Sequence, residues 1–93
     1  MSKSAITMGI NARVGSVGTP YSAWRIGLSH NPAERQRYWQ DIAKQDLACW
    51  TQWTADSLEE ALAIQSYFIN DKRMNGGPEV DLYANKTVFV YIF

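Results

Sequence analysis

Polar and apolar positions alternate along residues 22–29, which places Trp24, Ile26 and Leu28 on one side and Ala23, Arg25 and Gly27 on the other. That is the period-two signature of a strand with one buried face. Upstream, residues 5–10, extending towards Val14, are rich in apolar and β-branched side chains and predict a first strand. Gly15-Ser-Val-Gly-Thr-Pro20 concentrates turn formers and would close a loose antiparallel hairpin between the two. Downstream the period changes. Asn31 offers a helix cap, Pro32 suits the first helical position and Glu34 stands third, a variant of the capping box. The helix so started carries Tyr38, Trp39 and Ile42, a stripe that projects backwards onto Arg35. It should fade near Lys44 or Gln45.

Residues 47–54, with Cys49, Trp50, Thr51 and Trp53, read as a third strand. A second helix follows, capped either by Asp56 with Glu59 or by Ser57 with Glu60. Its apolar stripe runs through Leu58, Ala61, Leu62, Phe68 and Ile69, with Gln65 at the position where another apolar residue would complete it. Lys72 and Arg73 suit the helix end, and Asn75-Gly-Gly-Pro78 stops it. The final run, Thr87-Val-Phe-Val-Tyr-Ile-Phe93, has no polar break after its first residue. Both faces need cover, so it should be an interior strand, or an edge buried by a partner.

These elements predict an α+β fold: a small, mainly antiparallel sheet of three to four strands flanked by two helices, in the order ββαβαβ. With 93 residues the chain has the size of one domain, residues 1–93, and twelve aromatic residues (four Trp, five Tyr, three Phe) supply large buried areas. Nine basic and nine acidic residues cancel, so no global field selects nucleic acid, membrane or an acidic substrate. The single cysteine, Cys49, excludes an internal disulfide and a thiolate cluster, and a cytoplasmic setting is expected. No run of about twenty apolar residues and no leader-like segment is visible, so no membrane association is expected.

Trp24-Arg-Ile-Gly27 feeding Asn31-Pro-Ala-Glu-Arg35, with Glu60-Ala-Leu-Ala-Ile-Gln65 on the later helix, resembles the GIY-YIG domain, a small α/β module best known from endonucleases. The resemblance runs from the first strand to about Asn75. It implies a metal-assisted phosphodiester hydrolysis in which a glutamate holds a divalent cation, tyrosines act on the water and an arginine stabilises phosphate charge. Carried onto this chain, Gly27 and Arg35 match the pattern. Arg25 stands where the second tripeptide has its tyrosine, Gln65 stands where the glutamate is required, and the first tripeptide's tyrosine has no counterpart. A neutral amide lacks the charge to draw Mg²⁺ from its hydration shell.

The candidate binding residues are Arg13, Arg25, His30, Arg35 and Gln65, and no metal site is assigned. Arg35 is read as a phosphate ligand or as a structural partner of Gln65. Arg25, with Arg13 and Arg35, would make a small basic pocket, or would stand on a solvated sheet face. His30, without a carboxylate or cysteine at identifiable spacing, reads as a turn residue, and Cys49 as a packing residue. Trp50 and Trp53 offer stacking platforms, and strand alternation sets them on opposite faces, one of them core.

Three functions compete. The first is a non-catalytic binding or regulatory module for a nucleic acid or protein. The second is an atypical metal-dependent endonuclease in which Gln65 shares Mg²⁺ with Glu79 or Asp81. The third is a structural subunit that forms a homodimer through residues 87–93. The loss of the charged ligand leans against enzymatic activity, and no cofactor is expected outside the nuclease alternative.

Overall fold

A computed structural model describes residues 1–77 and 82–93. The fold is α+β, with helix α1 (Lys3–Val17), strand β1 (Ile26–Ser29), helix α2 (Pro32–Arg37), strand β2 (Thr51–Thr54), helix α3 (Leu58–Asn70) and strand β3 (Phe89–Ile92). A short 3-10 turn, Tyr21–Ala23, precedes β1, and α2 continues directly into a π-helical turn, Tyr38–Ile42. Residues 78–81, which include the turn residue Pro78 and the candidate acids Glu79 and Asp81, lie outside the described residues. No helix among the described residues is long and apolar enough to cross a membrane.

The first element is a helix, where a strand was expected, and there is accordingly no hairpin through residues 15–20. The reasons are local. Ser2 caps the helix, its Oγ accepting from the Ala5 N–H at 3.2 Å, and Gly18 ends it in the left-handed conformation (φ 81°). Between them Ile6, Ile10 and Val14 recur every four residues and are all buried. This helical spacing outweighs the strand preference of the β-branched residues. The helix lies close to the sheet because residue 9 is glycine: a Cβ there would come within 2.8 Å of Trp53 Nε1.

Strand β3 is central, paired antiparallel to β1 on one side and to β2 on the other. Its unbroken apolar run thus has the interior place expected of it, with Val90, Tyr91 and Ile92 fully buried. Because both edges are occupied, the homodimer expected through residues 87–93 has no free edge of this strand to form on. The register aligns Ile26, Ile92 and Thr51 in one row across the sheet and Gly27, Tyr91 and Gln52 in the next.

Alternation sends Ile26 and Leu28, Val90 and Ile92, and Trp53 to one face, where they pack with Ile6, Ile10 and Val14 of α1 and Ala61, Ile64 and Phe68 of α3. Trp24 joins the same core. In α3 the buried residues are Ala61, Ile64, Gln65 and Phe68, whereas Leu62, expected inside, is 43% exposed. The face turns in this direction because the Gln65 amide finds an acceptor in the chain that follows the helix, which leaves Ile64 free to fill the core. Ser57, rather than Asp56, is the cap, its Oγ accepting from the Glu60 N–H at 3.1 Å.

The cap of α2 is as expected: the Glu34 N–H donates to Asn31 Oδ1 at 3.2 Å. The stripe beyond it is not. The π turn widens the helix, Ile42 is 71% exposed and Tyr38 39%, and Trp39 alone of the three turns onto the sheet. Lys44, at φ 56°, ends the turn while the Gln45 N–H reaches back to the Trp39 carbonyl at 2.8 Å. Helix α3 ends the same way, with Arg73 at φ 65° and the Met74 N–H on the Phe68 carbonyl at 2.9 Å.

Candidate functional site

The sheet face opposite the core carries the unusual chemistry. Gly27, Tyr91 and Gln52 form one row on it. At the adjoining end of the sheet Arg25 and Phe93 exchange both backbone hydrogen bonds (2.8 and 3.1 Å), and Trp50 precedes β2 on the same side. Arg25, Phe93 and Trp50 therefore follow one another across the three strands.

Rings fill this face. Tyr91 and Phe93, two residues apart on β3, lie side by side with centroids 6.1 Å apart and planes at 13°. The indole of Trp50 covers both, 4.5 Å from Tyr91 and 5.5 Å from Phe93, at 10° and 18°. Its Nε1–H donates to Gln52 Oε1 at 2.9 Å, so the ring is fixed about both axes. From the π turn Trp39 arrives edge-on: its Nε1–H donates to the Tyr91 hydroxyl at 3.1 Å, and its ring is tilted 5.2 Å from Phe93.

The Tyr91 ring extends across β1, and the space it enters exists because residue 27 has no side chain: a Cβ there would lie 2.3 Å from both Cζ and Oη of Tyr91. Two arginines lie over the Trp39 ring. Arg25 Cζ is 4.8 Å from the indole centroid, and Arg35 Cζ is 5.5 Å from it and 4.6 Å from the Tyr38 ring.

Of the residues singled out in the sequence, the structure brings Arg25 and Arg35 together around Trp39 and disperses the rest. Arg13, on α1, donates from Nε to Thr51 Oγ1 at 3.1 Å on the core side of the sheet. Gln65 is 4% exposed and donates from Nε2 to the Gly77 carbonyl at 2.9 Å, beyond the outer edge of β1. His30 clasps the loop ahead of β3: the Tyr83 N–H donates to Nε2 at 2.8 Å, which obliges Nδ1 to carry the proton and donate to the Thr87 carbonyl, also at 2.8 Å. Trp53 belongs to the core and Trp50 to the opposite face, as alternation requires.

Among the described residues no cluster of three or more His, Cys, Asp or Glu suited to a metal occurs, and Gln65 contributes a neutral amide whose Nε2 donates to Gly77. The face presents a cation over one indole, beside a second indole that is stacked, hydrogen-bonded and still partly exposed. Trp39 and Phe93 were not foreseen as part of it. The alternation of Tyr91 and Phe93 along the last strand was visible, but the row linking Arg25, Phe93 and Trp50 depends on pairing between distant segments. Comparisons of the chain with protein-family models, with curated proteins and with solved structures found no match.

Proposed function

We propose that the chain is a non-catalytic, GIY-YIG-like binding module that uses the sheet face around Arg25 to hold a nucleic acid through its phosphates. The observation that carries this reading is the state of Arg25. The residue is partly exposed, its guanidinium lies over the Trp39 ring, and it makes no ion pair with any described residue. A cation oriented in advance and left without a carboxylate is suited to a phosphate oxygen, which a guanidinium meets with two parallel hydrogen bonds.

The absence of catalysis is supported by the substitutions themselves. Gln65, at the position of the metal-binding glutamate in the resemblance, is used to tie down the segment after α3. Gly27 is accounted for by the passage of the Tyr91 ring, with no catalytic role needed.

The test is fluorescence anisotropy with labelled single-stranded and duplex oligonucleotides at low ionic strength, where phosphate contacts are strongest. Binding that weakens with salt, and whose salt slope falls by about one on Arg25→Ala, is the expected result. No binding of either form sinks the proposal.

A further inference from the structure

The same face also bears on which form of nucleic acid is held, and this inference rests on the reading just given. We infer that it takes a single strand, with one unpaired base stacked on the indole of Trp50 and a neighbouring phosphate on Arg25. Trp50 is held on three sides: Tyr91 and Phe93 stack against it, and Gln52 accepts its N–H. Tyr91 is wholly buried under the stack, yet the indole above it keeps part of its surface in solvent. Such a ring loses almost no conformational freedom when a base settles on it.

The Gln52 amide is oriented by chemistry as well. An indole N–H can only donate, so Oε1 must face Trp50, and the Nε2 donors are left at an exposed position beside the platform. They are placed to meet an acceptor on the edge of a stacked base. The backbones of Arg25 and Trp50 lie two strands apart, about 9.5 Å across the sheet, on the scale of a single nucleotide. A duplex cannot use this arrangement, because its base faces are covered by their neighbours and only edges are accessible.

The experiment compares a fluorescein-labelled dT12 with the same length of duplex, using the whole chain and three variants. Expected are dT12 binding about tenfold tighter than duplex, a loss of about tenfold with Trp50→Leu, which keeps apolar cover over Tyr91 but offers no ring, and near-retention with Trp50→Phe. Arg25→Ala should weaken binding and flatten its salt dependence. Thermal melts by circular dichroism confirm that each variant is folded, with the equally ringless Trp50→Met serving if Trp50→Leu is not. Duplex bound as tightly as dT12, or dT12 bound equally well without the ring, overturns the single-strand inference and leaves phosphate binding standing. Failure to bind either form overturns both.

Discussion

Replacing Gly27 with alanine adds one methyl group, and its cost can be worked from the geometry. The new Cβ would meet Tyr91 Cζ and Oη at 2.3 Å and Cε2 at 2.8 Å, too close for any of the three. Tyr91 has nowhere to retreat: it is fully buried, stacked 4.5 Å beneath Trp50 and hydrogen-bonded by Trp39. Overpacking of this kind costs about 1–3 kcal/mol. Moving the ring aside would forfeit a hydrogen bond of roughly 1 kcal/mol and a stacking contribution of similar size. Against these, alanine restricts the unfolded chain and returns about 0.4–1 kcal/mol. The net expectation is a destabilisation of roughly 2–4 kcal/mol, which in a domain of this size lowers Tm by something on the order of 10–30 °C.

Urea and thermal melts followed by tryptophan fluorescence measure it, and a double-mutant cycle with Tyr91→Leu assigns it. Tyr91→Leu alone opens space over residue 27, and the added methyl group should fill part of that space. The double variant should therefore be more stable than the sum of the single effects by about 1 kcal/mol or more, a coupling well above the roughly 0.5 kcal/mol scatter of independent sites. If Gly27→Ala proves neutral, or the two changes add, the account of Gly27 as a passage for the Tyr91 ring is wrong.

Other expectations follow from single residues. In α1, a Cβ added at Gly15 would meet nothing within 4 Å, whereas one added at Gly9 would face Trp53 at 2.8 Å. Gly15→Ala should therefore stabilise by about 0.5–1 kcal/mol and Gly9→Ala should destabilise; equal effects in chemical denaturation would argue against the helix. Lys44 and Arg73 occupy left-handed positions where glycine is unstrained, and Lys44→Gly and Arg73→Gly should each raise stability by up to about 1 kcal/mol in the same assay. Long-range ¹⁵N–¹H correlation spectra of the neutral His30 imidazole should show Nδ1 protonated and Nε2 bare; the opposite tautomer would break the clasp described for the 82–87 loop.

Local signals were the legible ones. The Asn31 and Ser57 caps, the alternation of Trp24, Ile26 and Leu28, and the interior place of the last strand are all properties of short stretches, and the structure realises each. The first helix was missed because β-branched isoleucine and valine argue for a strand by type while Ile6, Ile10 and Val14 argue for a helix by spacing, and the Ser2 cap tips the balance. The exposure of Ile42 could not be foreseen, since the π turn that displaces it is closed by bonds to Tyr38 and Trp39 carbonyls and not by any residue preference. The candidate site was half visible. Arginines at 25 and 35 could be named, but their meeting on Trp39, and the rank of Arg25, Phe93 and Trp50, arise from pairing across most of the chain.

The central place of β3 also dictates a schedule for folding. Strands β1 and β2 make no ladder with each other; of the three strands, each is paired only with β3, and β1 adds a single bridge to the chain at Asn75. During synthesis the three helices can form and begin to collapse, but two strands must wait unpaired until the chain through residue 92 is free. Every sheet contact is then made late and over long loops, the condition under which folding is slow and open edges are at risk of pairing with the wrong chain. Substitutions that weaken β3 should accordingly retard folding as well as destabilise its product, and the yield of folded protein should be more sensitive to them than to equal losses in α1.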